Sequence, residues 1–120
     1  MAVKNLTTLE TLDKILHEKD HLAVVYCYKS KTDAEAMRFP LQEWSVLYNE
    51  AAYYYLDMDS ARPVADELGI DNNEPPHFLI FRDGRKIGSV TADAAHESAV
   101  DKAEAEIREF LGRRDPALYD

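Results

Sequence analysis

Leu22-Ala-Val-Val-Tyr-Cys-Tyr28 is an unbroken apolar and aromatic run, rich in β-branched residues. With no polar residue alternating through it, the run reads as a strand buried on both faces, as in the middle of a parallel sheet. Upstream, Leu9, Leu12, Ile15 and Leu16 recur at spacings of three and four, which predicts a short lead-in and an amphipathic helix ending near residue 19, with Thr7 or Thr8 as N-cap. Downstream, a polar turn over 29–31 leads to a long helix over about 33–51, interrupted by a kink at Pro40.

The same reading continues to the end of the chain. Residues 53–59 are expected to form a second strand and 61–68 a short helix. Gly69 and Ile70 suit a Schellman ending for that helix. A loop closed by Pro75-Pro76 leads to a third strand over 77–81. Asp83-Gly84 is a hairpin signal, with 86–91 pairing back antiparallel. The last helix is expected over 94–111, with Val100, Ala103, Ile107, Phe110 and Leu111 facing inward and Gly112 ending it. Strands alternating with helices give parallel units, and the hairpin adds an antiparallel edge. The fold class is therefore α/β: a three-layer α/β/α sandwich around a central mixed sheet, with one domain over 1–112 and a tail over 113–120.

Composition narrows the function. The chain has 120 residues, with 14 Lys plus Arg against 23 Asp plus Glu, for a net charge of −9. That balance disfavours nucleic acid, whose phosphates require clustered cations. No run approaches the roughly 18 apolar residues of a membrane span, and no apolar leader precedes the first helix, so a cytoplasmic location is expected. Asn5-Leu6-Thr7 then reads as a chance sequon. The four glycines are isolated, so no phosphate-cradling loop is present and no cofactor is expected. With a single cysteine, Cys27, the chain has neither an internal disulfide nor a CxxC pair.

The order of elements, with two local signatures, resembles the thioredoxin family. One signature is Pro76-His-Phe-Leu-Ile-Phe81-Arg-Asp-Gly84, similar to the family's cis-proline, apolar strand and Gly-containing hairpin. The other is Leu22 to Tyr28 followed by a turn and a helix broken at Pro40, similar to its strand, active-site turn and kinked second helix. Val64-Ala-Asp-Glu-Leu-Gly-Ile70 also resembles the helix before the cis-proline loop. The resemblance covers roughly residues 6–111, nearly the whole chain.

Carried over position by position, the resemblance implies a changed site. Counting back from Pro40 places the CxxC motif on Thr32-Asp33-Ala34-Glu35. Lys31 stands for the preceding tryptophan, Tyr26 for the buried acid, and Ala92 for the glycine facing the site after the hairpin. Pro76 remains as the expected cis-proline. Thr32-x-x-Glu35 also fits a capping box, and Asp33 adds negative charge at the positive helix end. The resemblance implies a redox-inactive module in which Lys31, Thr32, Asp33, Ala34, Glu35, Pro75, Pro76, His77 and Ala92 line a groove for a protein or peptide partner. The alternative is a thiol-dependent reductase or peroxidase acting through Cys27. That cysteine lies in the buried strand, however, whereas a reactive thiolate requires exposure and a positive setting.

Three other patterns receive structural readings. His17-Glu18-Lys19-Asp20-His21 fits the HExxH zinc motif, but the strand begins at once, so it reads as a polar helix end and no metal is expected. Tyr53-Tyr54-Tyr55 reads as a strand packing rings on both faces rather than a base-stacking platform. Trp44 belongs to the core or to an interface. Glu97, Asp101, Glu104 and Glu109 read as a solvated helix face, with Arg108 pairing to Glu104.

Overall fold

The computed structural model describes residues 3–17, 22–71, 75–91 and 97–113. Among these residues five strands and four helices follow one another as β1 (Val3–Asn5), α1 (Leu9–His17), β2 (Leu22–Tyr28), α2 (Lys31–Leu47), β3 (Ala51–Asp57), α3 (Arg62–Glu67), β4 (His77–Arg82), β5 (Arg85–Thr91) and α4 (Glu97–Arg113). The sheet order is β1-β3-β2-β4-β5. β2 takes the centre, parallel to β3 with Cys27 opposite Leu56, and antiparallel to β4 with Cys27 opposite His77. Burial on both sides is what the unbroken apolar run of β2 requires, and every residue from Leu22 to Cys27 is buried.

Two clusters fill the space on either side of the sheet. One joins Ala23, Val25, Cys27, Tyr54, Leu56, Leu79 and Phe81 to α1 and α3. The other joins Leu22, Val24, Tyr26, Tyr53, Phe78 and Ile80 to α2 and α4. Alternation along β3 thus sends Tyr53 and Tyr54 into the cores on opposite faces, while Tyr55, on the Tyr53 side, stays half-buried. Trp44 of α2 is core as well, 1% exposed and with its ring 5.5 Å from Phe78. Val100, Ala103, Ile107, Phe110 and Leu111 form the packed side of α4.

Local signals act where the sequence places them. Thr8 caps α1 by accepting the Thr11 amide at 3.1 Å. At the end of α3 the Gly69 amide donates to the Asp66 carbonyl at 3.0 Å and the Ile70 amide to Ala65 at 2.9 Å, which is a Schellman ending with Ile70 buried. Asp83 and Gly84 both take positive φ, 53° and 80°, as a two-residue hairpin of the primed type requires. A Cβ at Gly84 would stand 2.3 Å from the Leu16 carbonyl oxygen, so the hairpin also presses against the end of α1.

Several expectations are corrected. Val3 to Asn5, read as lead-in, pair in parallel with β3 as an edge strand. β3 starts and ends two residues before the expected 53–59, because its register is set by β2 from Leu22↔Ala51 to Tyr28↔Asp57. Pro40 does not interrupt α2, which runs through it as one helix of 17 residues. α4 extends one residue past Gly112, to Arg113. Glu104 is not merely solvated: it accepts the Tyr48 hydroxyl at 2.7 Å, tying α4 to the end of α2. Residues 18–21 of the HExxH pattern, 94–96 of the last helix and 114–120 of the tail lie outside the described residues. Among the described residues no helix is long and apolar enough to cross a membrane.

Candidate binding site

The turn after β2 decides what stands at the head of α2. Ser30, with extended backbone (φ −105°, ψ 149°), is the N-cap, and its hydroxyl accepts the Asp33 amide at 3.1 Å. The capping box expected at Thr32 and Glu35 is therefore corrected: the helix is capped two residues earlier, by the Ser30 hydroxyl. Thr32 lies inside the first turn, Asp33 takes the third helical position, and Glu35 lies beyond it. Either hydroxyl could chemically cap a helix. The helix starts where β2 leaves the sheet, and Ser30 stands there.

Topology brings most of the expected site residues to one end of the sheet. Tyr28 ends β2 there beside Asp57, and His77 begins β4 opposite Cys27 and Thr91. Lys31, Thr32 and Glu35 are exposed, Asp33 and Ala34 half-buried, Pro75 exposed and Pro76 half-buried, while His77 is buried. Among the described residues no peptide bond is cis, so the Pro75–Pro76 bond is trans. Trans is the ordinary preference of a prolyl bond, by about 0.5–1 kcal/mol, and the cis-proline expected at Pro76 is corrected. Ala92 lies outside the described residues.

The sheet divides this set between its two faces. Ala34 and Glu35 line a groove of about 410 Å³ between α2 and the β1 edge, together with Arg38 and Gln42 from the same helix. Its sheet side is Val3 and Asn5 of β1, Tyr28 of β2 and Tyr55 of β3. Pro75 and His77 instead line a smaller pocket of about 110 Å³ with the end of α3 and with β5. Residues 77, 79 and 81 point to the α1/α3 face while 78 and 80 point to α2. His77 therefore belongs to the opposite side of the sheet from Glu35.

The groove between α2 and β1 has a defined chemistry. Tyr28 and Tyr55 meet edge to face, with ring centroids 6.2 Å apart at 90°. Tyr28 also stacks on Tyr26 at 5.9 Å. Burial raises the Tyr28 phenol above its ordinary range, and the Asp57 carboxylate adds to that. Burial raises Tyr55 as well; Arg38 opposes the shift, while Tyr28 and Glu35 reinforce it. Both hydroxyls thus remain neutral well above physiological pH, giving flat apolar faces with polar tips. Arg38 and Glu35 place one charge of each sign at the rim. On the adjoining outward face of α2, Phe39 and Val46 are 76% and 73% exposed and, being seven residues apart, lie nearly in line along the helix. Sequence reasoning reached Ala34 and Glu35 but missed Tyr28, Arg38, Gln42 and Tyr55. The spacing of 35, 38 and 42 along one helix face was the available signal.

Cys27 is 0% exposed and belongs to the α1/α3 cluster. It precedes the α2 turn and points to the face opposite Tyr26 and Tyr28.

A parallel–antiparallel sheet in the order β1-β3-β2-β4-β5, with two helices on each face, is the thioredoxin fold. Among solved structures the chain is similar to the thioredoxin of Malassezia sympodialis, at 20% identity and a TM-score of 0.71, with 91% of this chain and 93% of that one covered. A thioredoxin from Nicotiana alata is similar at 19% identity and a TM-score of 0.72, with coverage of 90% and 91%. The oxidised thioredoxin of Plasmodium falciparum gives 19% and 0.72, with coverage of 90% and 97%. At such identities the likeness establishes the fold. No protein-family model and no curated protein matches the sequence.

Proposed function

We infer that this chain is a thioredoxin-fold binding module that holds a protein or peptide segment without exchanging electrons with it. The observation that carries the reading is the place of its one sulfhydryl: Cys27 is wholly buried in the central strand. The positions matching the dithiol motif hold Thr32, Asp33, Ala34 and Glu35. Dithiol exchange requires two sulfurs in one site and an accessible thiolate. A helix start carrying a hydroxyl and carboxylates offers hydrogen bonds and charge instead.

The groove beside α2 supports the binding part of this reading. An extended segment lying there would meet the faces of Tyr28 and Tyr55, an acceptor in Glu35 and a forked donor in Arg38. β1 is a short edge strand whose outer backbone groups suit strand addition. The exposed apolar side chains Phe39 and Val46 extend the surface along the helix.

The test is affinity purification with quantitative mass spectrometry, followed by binding measurements on the purified partner. Glu35→Ala and Arg38→Ala alter exposed side chains only and leave the fold intact. Loss of a charge-assisted contact worth about 1.5–3 kcal/mol is expected to weaken binding by about tenfold or more in at least one variant. Unchanged affinity in both variants, with the fold intact, contradicts a site in this groove.

A further inference from the structure

The pocket on the α1/α3 face is built by an irregularity in the hairpin. β4 and β5 pair as His77↔Thr91 and Leu79↔Ser89, but a register shift between Ile80 and Phe81 then sets Phe81 opposite Lys86. Ile87 is the extra residue. In a regular strand Ile87 would stand in the row of Ser89 and Thr91, and Lys86 would point to the other face. The bulge removes the isoleucine from that row and puts Lys86 in its place.

The lining that results is rich in donors. Lys86, Ser89 and Thr91 stand in a row on β5, with His77 and Leu79 beside them on β4 and the Leu68-Gly69-Ile70 ending of α3 as the wall. His77 is 6% exposed, and its Nδ1 lies 2.8 Å from the Pro75 carbonyl oxygen. A carbonyl only accepts, so Nδ1 carries the hydrogen and the ring is fixed in orientation. No acidic residue among the described residues lines the pocket, although the chain has 23 acids against 14 Lys plus Arg. At about 110 Å³ it exceeds several-fold the roughly 10–15 Å³ that one water needs.

We propose that this pocket is a binding site for a single oxyanion group, a carboxylate or a phosphate, held by the Lys86 ammonium and the Ser89 and Thr91 hydroxyls against the wall formed by His77. The site is independent of the groove beside α2, which lies across the sheet from it. The chemistry is charge-assisted hydrogen bonding, with Lys86 supplying the charge and the two hydroxyls the directional donors.

The test is a titration of isotope-labelled protein by amide NMR at constant ionic strength, with inorganic phosphate, acetate and chloride as separate probes. Saturable shifts are expected at residues 68–70 and 86–91 with phosphate, acetate or both, and none with chloride. A phosphate response alone identifies a phosphate ligand, whereas an acetate response extends the site to carboxylates. Lys86→Gln is expected to weaken binding by about tenfold, by loss of one charged contact, and Ser89→Ala to weaken it less. Glu35→Ala, in the other groove, should leave the titration unchanged. Both residues on β5 are exposed, so neither change threatens folding. Absence of saturation with both oxyanions, an equal response to chloride, or an undiminished response in Lys86→Gln overturns the proposal.

Discussion

Replacing Ser30 by alanine removes the hydroxyl that accepts the Asp33 amide at 3.1 Å and leaves the first turn of α2 without its side-chain cap. A lost serine cap costs about 1 kcal/mol, within a range of roughly 0.5–2. Thr32→Ala makes the opposite case. Thr32 is exposed within the helix, so exchanging a β-branched residue for alanine should leave stability unchanged or raise it by up to about 0.5 kcal/mol. The two variants should therefore differ by about 1–1.5 kcal/mol, which moves a urea midpoint by about 0.5–0.75 M for a slope near 2 kcal/mol/M. Amide exchange supplies the local readout: Asp33 should lose protection in Ser30→Ala, keep it in Thr32→Ala, and regain it in Ser30→Asp, since aspartate also caps well. A larger loss in Thr32→Ala than in Ser30→Ala, with Asp33 still protected when Ser30 is gone, would refute the assignment of the helix start. It would restore the box at Thr32 and Glu35.

Two further perturbations test other parts of the structure. Gly84→Ala combines left-handed strain of about 1–2 kcal/mol with a Cβ placed 2.3 Å from a backbone oxygen, so a loss of about 3 kcal/mol or more is expected in chemical denaturation. Gly69→Ala has a similar φ of +74° but open space around the new atom, and should cost only about 1 kcal/mol; equal losses would contradict the close approach to Leu16. Raising the pH tests the buried phenols. Burial raises Tyr28, Tyr53 and Tyr55, Tyr53 furthest, and the bond to Glu104 raises Tyr48. Groups raised in the folded state stabilise it fully below the unfolded value near 10, and that contribution is lost as pH climbs through the folded values. Unfolding free energy should therefore fall above about pH 10, with Tyr53 the last of these four to ionise in absorbance titrations. Flat stability there, with ordinary phenol titration in the native protein, would contradict their burial.

Much of the fold was legible because single residues carried unambiguous chemistry. The run from Leu22 to Tyr28 has no polar face to turn toward water. Gly69 with Ile70, and Asp83 with Gly84, each match one backbone geometry and little else. Val3-Lys4-Asn5 gave no such signal, because three residues without alternation become a strand only when β3 offers a register. The start of α2 was read two residues late, because Thr32-x-x-Glu35 matches a capping box, whereas the helix begins where β2 leaves the sheet and Ser30 caps it. The candidate site was less legible. His77 was expected in one groove with Glu35; alternation along β4 sends it to the face opposite Phe78, and which face α2 covers depends on long-range packing. Tyr28 and Tyr55 are brought together only by parallel pairing of strands that are far apart in sequence. The bulge that re-aims Lys86 has no sequence mark beyond Gly88, which lies next to it.

The proposed binding module carries out no thiol chemistry. The measurement that tests it most directly is an insulin-disulfide reduction assay and a peroxide-turnover assay on the wild-type chain and on Cys27→Ala, each supplied with a thiol reductant. The burial of Cys27 predicts that neither protein accelerates either reaction above the reductant alone, and that Cys27 resists alkylation until the chain unfolds. Turnover by the wild-type chain that disappears in a folded Cys27→Ala variant would contradict it.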